Sequence, residues 1–452
     1  MPGWRGSRWT LHSATFGAAR PAVRIGKALA LVAVAVLASG ADWPHWRGPE
    51  RNDISIESSG WPDGWPPKNL WSKNVGYGCT SPTVVAGRMY VMGWHGEGNR
   101  RANPVGQDTL WCLDPLSGSV LWSQSYNSHY QGRFRNGDLH QYGGPSSTPT
   151  FDAESQFIYT LGIDGDLHCW DAARDGRPVW SLKLADEYGV RQRPNVGGGV
   201  RDFGFTSSPL VQGDVLILEV GGARGTVMAF DKRTGQFRWT SAYAGPAGHT
   251  GGPVPLTVGG VPCVANLALS ALILLRVDKG REGQTVAELK WQTDFGCNIP
   301  TPTAAGGRLV LTSSYNSKKT SLIETSPGGA TEKWSTRDHA TVCSPVVHKG
   351  RVYLVEGPVR CLDMATGKRL WQGGGSFGEG SCLVTAGDDK LIAFGNGRLA
   401  LIDASPSANQ YKEFARLDGV VPATCYPHVV LSNGLIFCKD KDGNTVCLSA
   451  RP

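Results

Sequence analysis

The feature that most constrains this chain is a ten-residue phrase, "LDMATGKRLW", at residues 362–371, which recurs in variant form along the sequence. Close variants are "LDPLSGSVLW" at 113–122 and "FDKRTGQFRW" at 230–239. Each copy joins an apolar segment that ends in Asp to a short segment that ends in Trp, through a turn that contains Gly. Self-similarity of this kind is typical of repeat architectures, in which each unit buries its apolar surface against its neighbours.

The residues around each phrase predict four short β-strands. The first unit runs from "SPTVV" (81–85) and "RMYVMG" (88–93) to "LWCLD" (110–114) and "VLW" (120–122). The 60 glycines and 28 prolines, without a sustained helical period, favour short strands and turns over helices. Later first strands are predicted near 148–150, 208–210, 253–256, 301–303, 344–347, 382–386 and 426–430. Fourth strands are predicted to end at Trp122, Trp180, Trp239, Trp291, Trp334 and Trp371, and at Phe414 in the seventh unit.

The two ends of the repeat region complement each other. The eighth unit stops after its third strand, "TVCLS" (445–449), and the missing fourth strand is available in "NLWSKNV" (69–75). We therefore predict an all-β fold, an eight-bladed β-propeller of four-stranded antiparallel blades whose last blade is completed by an N-terminal strand. A solenoid is the alternative, but it would need capping repeats at its ends.

Each type of residue that recurs within the phrase has a structural reason. The Asp is expected to accept hydrogen bonds from the amides of the turn, and the Gly supplies a positive φ. The Trp is expected to lie between neighbouring sheets, where burying about 150–250 Å² contributes on the order of 4–6 kcal/mol before entropy losses. The predicted structural positions of the repeat are Asp114, Trp122, Asp171, Trp180, Asp231, Trp239, Trp291, Trp334, Asp363, Gly367 and Trp371.

The copies "CLDMATGKRLW" (361–371) and "AFDKRTGQFRW" (229–239) resemble the consensus repeat of PQQ-binding-like, quinoprotein-type propellers. The resemblance extends over residues 69–449. That group includes the outer-membrane assembly factor BamB as well as quinoprotein dehydrogenases, and the phrase "DWPHWRGPERND" (42–53) is similar to the start of its exported bacterial members. The resemblance implies a propeller scaffold, with envelope or outer-membrane proteins as partners.

The N-terminus is typical of an export signal. The basic stretch "RIGK" precedes ten apolar residues (28–37) and the small residues "ASGA", and ten are too few to cross a bilayer, which takes about 20. We predict a signal peptide at 1–40, an N-terminal segment at 41–68 and the propeller at 69–452. Because no cysteine precedes Cys79, the mature protein is expected to be periplasmic or secreted, not a lipoprotein, without a transmembrane span, and monomeric.

The net charge of +7 comes mostly from the predicted signal. Five of the chain's 45 basic residues lie in 1–40 with no acidic residue, which leaves 40 basic against 38 acidic residues elsewhere, or +2. There is no basic patch of the kind that binds nucleic acid. The 11 cysteines include no CxxC motif or adjacent pair and mostly lie in apolar phrases, so buried thiols are expected, although spacing predicts no disulfide connectivity.

The sequence offers little sign of catalysis. The resemblance implies that a catalytic relative would hold PQQ over calcium through Glu, Asn and Asp ligands, often beside an adjacent-cysteine disulfide. No position here can be assigned to those ligands, so no catalytic residue, metal or cofactor is expected, and a PQQ- and calcium-dependent oxidoreductase is the alternative. "GGGSFG" (373–378) matches phosphate-loop patterns without a following helix, and "DKDGN" (440–444) lacks the closing Glu of a calcium loop. A polysaccharide-binding or hydrolytic role is a third hypothesis, but no carboxylate pair can be located for it.

Binding is expected at the rim of the central channel, where the fourth strand of one blade connects to the first strand of the next. The long connections within 125–144 and 188–204 contain aromatic and arginine residues, a composition that favours interfaces. We predict a non-catalytic scaffold that binds protein or a polar ligand at this rim. The predicted rim residues are Tyr77, His140, Arg201, His249, Asn298, His339, Glu379 and Thr424.

Overall fold

The computed structural model describes residues 41–97, 105–128, 144–190, 195–196, 199–200, 204–291, 298–314 and 318–451. Its strands form eight antiparallel four-stranded blades, which confirms the predicted all-β propeller. Outside the blades lie the α-helix Leu184–Tyr188, the 3₁₀ turn Ala172–Arg174 and a two-stranded ribbon, Asn195–Val196 with Gly199–Val200. None of the helices in the described part of the chain has the length and hydropathy of a membrane span.

We name the strands of each blade A to D, from the axis outward. Blades 1 to 4 consist of Thr83–Val85, Arg88–Glu97, Val105–Leu113 and Val120–Ser128; Thr150–Asp152, Phe157–Leu161, Asp166–Asp171 and Arg177–Lys183; Leu210–Gln212, Val215–Glu219, Val227–Asp231 and Phe237–Thr240; and Val254–Val258, Val261–Leu267, Ala271–Arg276 and Thr285–Lys290. Blades 5 to 8 consist of Thr303–Ala305, Arg308–Ser313, Lys319–Ser326 and Gly329–Thr336; Val346–His348, Arg351–Val355, Val359–Asp363 and Arg369–Gly373; Ser381–Thr385, Lys390–Gly395, Arg398–Asp403 and Glu413–Leu417; and Val430–Ser432, Leu435–Lys439, Asn444–Ser449 and, as strand D, Lys68–Asn74.

The ring closes as the sequence predicts. Strand Lys68–Asn74 pairs antiparallel with Asn444–Ser449, with Lys68 opposite Ser449 and Asn74 opposite Asn444. The N-terminal strand thus supplies the outer edge of the blade whose other three strands come from the C-terminus. Joining the first and last parts of the chain in one sheet leaves no blade incomplete.

In five blades the Trp of strand D lies against a glycine-containing turn of the following blade. A Cβ atom added to Gly367 in blade 6 would lie 2.6 Å from the ring of Trp334 in blade 5, and one added to Gly118 would lie 2.6 Å from the ring of Trp71. The glycine of the repeated phrase is therefore required for close approach of an indole ring as well as for its positive φ. The same arrangement joins Trp122 to Gly176, Trp180 to Gly235 and Trp239 to Gly283.

Some of these turns also accept a hydrogen bond from the indole N–H group of the Trp that packs on them, and others do not. Trp334 Nε1 donates to the carbonyl of Met364 at 2.9 Å, in the turn that begins at Asp363. The equivalent bonds join Trp71 to Pro115 and Trp180 to Lys232. All three receiving turns read Asp-x-x-Ser/Thr-Gly. Where the receiving turn departs from that pattern, the buried indole N–H has no partner among the described residues, as in Trp122, Trp239 and Trp371.

The Asp of the phrase organises the turn that receives the ring. Asp363 Oδ1 accepts hydrogen bonds from the backbone N–H of Thr366 at 2.9 Å and from its hydroxyl at 2.8 Å. Asp231 Oδ1 accepts the matching pair from Thr234. These are Asx turns, in which a side-chain oxygen replaces a backbone acceptor. The repeated phrase of one blade thus forms the turn on which the tryptophan of the preceding blade packs.

Every strand D carries a β-bulge, immediately before the Trp where one is present. In blade 1, Cys112 lies opposite Trp122 and Leu113 lies opposite Val120, so Leu121 is the extra residue. A bulge leaves one residue unpaired and bends the strand locally. The bulged residues around the ring are Leu121, Val179, Arg238, Val286, Lys333, Leu370, Phe414 and Leu70.

Two predicted strand ends are corrected by the observed register. Strand D of blade 4 is Thr285–Lys290, so Trp291 lies one residue beyond it, with its backbone N–H bonded to the carbonyl of Ser270. In blade 7 the register places Ala415, not Phe414, at the Trp position. Both blades lack the Asp-x-x-Thr-Gly turn before strand D, and without this turn the distance along the chain from the turn to the aromatic residue cannot be predicted.

The cysteines in the described part of the chain are all free thiols. All but Cys79 are buried, as expected for small apolar side chains within strands. The two sulfur atoms of Cys343 and Cys382 approach to 4.0 Å without a bond.

Candidate functional site

We call the face where strand D of one blade connects to strand A of the next the mouth face, and the opposite face, with the A–B and C–D turns, the turn face. The N-terminal segment begins at the turn face of blade 1. There the backbone N–H of Trp43 donates to the carbonyl of Val84 at 2.6 Å, and the reverse bond is 2.9 Å long. Next, the backbone N–H of Phe151 in blade 2 donates to the carbonyl of Pro44.

The segment then runs along the axis towards the mouth face and returns. On its way back, Ile54–Ser55 pairs in parallel with Val384 and Thr385 at the end of strand A in blade 7. Residues 43–55 therefore enter and leave the ring on the same side. We call them the axial plug.

The tip of the axial plug is a tight loop held by unusual backbone angles. Arg47, Arg51 and Asp53 all have positive φ angles, of 65°, 51° and 58°. Such angles cost of order 1–3 kcal/mol at each non-glycine residue and persist only when surrounding contacts impose them. Gly48 has a φ of 77°, and an added Cβ there would lie 3.0 Å from the ring of Trp43.

Arg47 joins the plug to blades 5 and 6. Its guanidinium donates to the carbonyl of Pro345 at 2.6 Å, to the hydroxyl of Thr303 at 2.9 Å and to the carbonyl of Pro302 at 3.3 Å. These residues belong to the Ser/Thr-Pro phrases that open strand A. Because proline has no N–H, these phrases present acceptors to the axis, and a guanidinium with five donors fits them.

Arg51 joins the plug to blades 3 and 4 in the same way. Its side chain donates to the carbonyl groups of Pro209, Ser208 and Pro253. Both arginines are 1% exposed. Buried charged side chains require hydrogen-bonding partners, and here the backbone of the ring supplies most of them.

Asp53 balances part of this charge. Its carboxylate accepts from Arg47 Nε and lies 3.3 Å from Nδ1 of His428, which approaches from blade 8. Burial would raise the pKa of Asp53, but the charges of Arg47 and His428 outweigh that effect and hold the pKa below its usual value. The ring of Trp46 lies 4.4 Å from the ring of His428, and its indole donates to the hydroxyl of Thr301 in blade 5.

The centre of the propeller is thus filled by the chain itself. The plug contacts all eight blades through the interactions described above. At its tip only Pro49 and Glu50 are exposed. The protein's own N-terminal segment therefore fills the axis beneath the mouth face. The sequence alone predicted a central channel with binding residues at its rim.

The predicted rim residues differ in accessibility. Tyr77 is 49% exposed, whereas Asn298 is fully buried and uses its amide to donate to the carbonyl groups of Ala268 and Leu269. His249 is also buried, with a φ of 74°. His339, Glu379 and Thr424 are half-buried. His140 and Arg201 lie outside the described residues.

The structure brings the rim residues together in pairs rather than as one ring. The backbone N–H of Asn298 donates to the carbonyl of Gly248, next to His249. Lys441 links Thr424 to the Tyr77 loop, because its N–H donates to Thr424 and its carbonyl accepts from Gly78. Burial and the neighbouring charge of Glu356 raise the pKa of Glu379.

Blade 1 projects beyond its neighbours at the mouth face. Its strands B and C pair as far as Glu97 opposite Val105, and strand D continues to Ser128 opposite Gly106. The ring of Trp94 supports the projection, since a Cβ at Gly96 or Gly106 would lie within 2.4 Å of that ring. The predicted loop at 125–144 begins in this projection, and most of that loop and of 188–204 lies outside the described residues.

Among the described residues, Glu219 and Asn266 are a buried Glu and a buried Asn in direct contact, and these residue types are among the calcium ligands of a quinone site. Glu219 accepts from the amide of Asn266 at 2.7 Å and from the backbone N–H of Gly248 at 3.0 Å. Burial raises the pKa of Glu219 to about 7. Donors therefore face this carboxyl group, whereas a calcium ion requires converging oxygen atoms, so the pair does not fit the ligand set of a PQQ-bound calcium ion. Among the described residues no cluster of three or more His, Cys, Asp or Glu side chains has metal-binding geometry.

Sequence reasoning missed the residues of the plug, namely Trp46, Arg47, Arg51, Asp53 and His428. The phrase "WRGPERND" (46–53) was noted only as a resemblance. A usable signal was present: two arginines and an aspartate flank a Gly-Pro turn, in a segment too short to form a blade. What the sequence did not show was the row of proline-phrase carbonyl groups to which these arginines bind.

Comparison with known proteins places the chain among propellers. The family model described as "Outer membrane protein assembly factor BamB" matches residues 106–373. Among solved structures, BamB from Moraxella catarrhalis has a TM-score of 0.56 and 13% identity, over 85% of this chain and 99% of that chain. Quinohemoprotein alcohol dehydrogenase from Comamonas testosteroni has a TM-score of 0.55 and 15% identity, over 91% of this chain and 80% of that chain. At these identities the structural similarity shows the fold alone. No curated protein sequence matches the chain.

Proposed function

The chain belongs to the family of the outer membrane protein assembly factor BamB, and from this premise we propose that it is an exported, non-catalytic scaffold that binds protein partners. Partner binding is assigned to the mouth face, where blade 1 projects and Tyr77 is exposed. Long connections on a rigid scaffold are where binding residues tend to lie.

The observation that carries this proposal is the axial plug. Arg47 and Arg51 occupy the axis at the level of the Ser/Thr-Pro phrases, where their donors are used by the carbonyl groups of four blades. A small ligand lying deep on the axis would have to displace two buried guanidinium groups, and each buried polar group that lost its partner in this way would cost about 1–3 kcal/mol. This favours recognition at the surface over chemistry inside the ring.

Export is part of the same proposal. The basic and apolar stretch within residues 1–40 supports cleavage near the small residues at 38–41 and release as a soluble monomer into the periplasm or medium. Envelope or outer-membrane proteins are then the proposed partners. N-terminal sequencing of the protein recovered from the periplasm tests this step, and retention of residues 1–37 would contradict it.

The partner test uses the mature protein as bait in an envelope extract, with chemical cross-linking and mass spectrometry. Tyr77→Ala should reduce recovery of a cross-linked partner several-fold, because it removes an exposed aromatic side chain from the mouth face. Leu116→Ala is the matched control, since Leu116 is 52% exposed in a C–D turn on the opposite face and its loss should leave recovery unchanged. Equal loss in both variants, or no cross-linked partner, would contradict mouth-face binding.

The quinone alternative is tested on the same preparation. After incubation with PQQ and calcium followed by desalting, the scaffold proposal expects no retained quinone absorbance and no dye reduction with alcohols or sugars. Retained cofactor with turnover would overturn the non-catalytic assignment.

A further inference from the structure

Two buried cysteines from neighbouring blades meet beside the axial plug. Cys343 immediately precedes the Ser-Pro phrase that opens strand A of blade 6, and Cys382 lies on strand A of blade 7. Both residues are fully buried, and their sulfur atoms are 4.0 Å apart. We call these two residues the axial cysteine pair. A bond between them would join the innermost parts of two blades.

The axial cysteine pair lies beside two anchor points of the plug. In blade 6, the carbonyl of Pro345 accepts from the guanidinium of Arg47 at 2.6 Å. In blade 7, the backbone N–H of Val384 donates to the carbonyl of Asp53 at 2.9 Å. Each of these two blade residues follows a cysteine of the pair by two positions. A fixed distance between the cysteines would therefore also fix the distance between the two strands that hold the plug.

The thiols of the pair are poor nucleophiles once the ring is folded. Cys343 donates its thiol hydrogen to the carbonyl of Ser344 at 3.3 Å. The contact with Cys343, together with burial, raises the pKa of the Cys382 thiol well above its usual value. Because the thiolate is the form that attacks a disulfide, the folded dithiol reacts slowly with an oxidant. Oxidation of the pair must therefore take place during folding, before the two side chains are buried.

We propose that Cys343 and Cys382 are joined by a disulfide bond in the exported protein. This inference rests on the proposed export, since the periplasm and the medium are oxidising compartments in which disulfides form and persist. The structure describes the dithiol form of the pair. The sulfur atoms of a disulfide are about 2 Å apart, so side-chain rotation must bring the two thiols about 2 Å closer.

The bond forms by thiol–disulfide exchange with an oxidoreductase that carries a disulfide. The thiolate of one cysteine attacks that disulfide and forms a mixed disulfide with the oxidant. The thiolate of the second cysteine then attacks the sulfur of the first, and the oxidant leaves with both of its sulfurs reduced. The pair loses two protons and two electrons, and the oxidant becomes a dithiol by taking up two of each.

The proposed bond closes a loop around a whole blade. The two cysteines are 39 positions apart, and all four strands of blade 6, from Val346 to Gly373, lie between them. A cross-link restricts the unfolded chain, and the restriction grows with the length of the closed loop. The oxidised protein should therefore unfold in urea at a midpoint higher than that of the dithiol form, by on the order of 1 M.

The first experiment maps the thiols of the mature protein recovered from the periplasm. Free thiols are blocked with N-ethylmaleimide in denaturant at mildly acidic pH, where exchange is slow, and the chain is digested without reduction for mass spectrometry. The proposal expects one linked pair of peptides that contain Cys343 and Cys382, whereas Cys263, a buried cysteine of blade 4, is blocked. Blocked Cys343 and Cys382 in most molecules, or a link from either one to another cysteine, would overturn the proposal.

Matched variants connect the bond to stability. Cys343→Ala and Cys263→Ala each remove a fully buried thiol. At equilibrium with a phosphine reductant, the urea midpoint of the exported wild type and of Cys263→Ala should fall by on the order of 1 M, and that of Cys343→Ala should not change. An unchanged midpoint in the wild type, or an equal fall in Cys343→Ala, would contradict the bond. The thiol map uses the wild type alone, so it decides the question even where a variant does not fold.

The outcome can be separated from that of the export proposal. If the recovered protein has lost residues 1–37 but both cysteines are blocked, only the axial cysteine pair is wrong. If residues 1–37 are retained, while the urea-unfolded mature chain forms this link on refolding with oxidised glutathione, export is contradicted and the pairing of the two cysteines stands.

Discussion

Along the circumference of the ring one contact is repeated between neighbouring blades, whereas on the axis a single loop contacts all eight blades. At the circumference, Trp334 lies on the Gly367 turn in the same way that Trp71 lies on the Gly118 turn. On the axis, Arg47 and Arg51 together bind carbonyl groups of four blades. Repetition distributes stability over many equivalent sites, and the axial plug concentrates it in a few residues.

The largest expected effect tests the axis. Arg47→Met removes the charge that faces buried Asp53 and the guanidinium donor to the carbonyl of Pro302, so unfolding free energy should fall by about 3–5 kcal/mol. Chemical denaturation followed by tryptophan fluorescence measures it. The control is Arg233→Met, since Arg233 and its partner Glu154 are both more than half exposed and their ion pair should contribute little. A similar midpoint for the two variants would remove the distinction between axis and surface.

A smaller effect is expected at the circumference. Gly367→Ala would bring a Cβ to 2.6 Å from the ring of Trp334 and also place an alanine at a φ of 72°. Overpacking and the backbone cost together should reduce stability by about 2–4 kcal/mol. Gly350→Ala in the same blade is the matched control, with a φ of 79° and no atom within 4 Å of the added Cβ, and should lose only about 1 kcal/mol. If thermal or chemical unfolding shows an equal loss of stability in the two variants, Gly367 is required only for its positive φ and not for the close approach of Trp334.

The smallest effect compares two tryptophans of the circumference. Trp334→Phe loses the indole bond to Met364, whereas Trp122→Phe removes an N–H without a described partner. The first variant should therefore be less stable than the second by about 1 kcal/mol, after the similar change in side-chain size is taken into account. If the denaturation midpoints are equal or reversed, the hydrogen bond from the indole to the Asp-x-x-Ser/Thr-Gly turn does not contribute to stability.

The same contrast explains what could be predicted from the sequence. Comparing the copies of the repeat with each other located the blades, and the missing strand of the last unit identified its completion by residues 69–75. Blades 4 and 7 departed from the repeat, and there Trp291 and Phe414 were given the wrong position. Internal comparison is informative only where copies exist.

The axial plug occurs once, so no second copy revealed it. In the sequence, Arg47 and Arg51 cannot be distinguished from surface arginines. Their burial depends on the carbonyl groups of the proline phrases and, for Arg47, on Asp53. The rim residues were placed on loops by topology, but the exposure of Tyr77 and the burial of Asn298 depend on loop packing.

The bulge in every outer strand limits how this molecule can associate with others. A regular outer edge offers a row of free N–H and C=O groups to which an extended segment of another chain could add as a further strand. Here, an extra residue such as Leu121 or Lys333 breaks that row in each of the eight blades. Fibre-like stacking of one ring edge on another is thereby discouraged all around the perimeter, and selective docking is left to the side chains of the two flat faces.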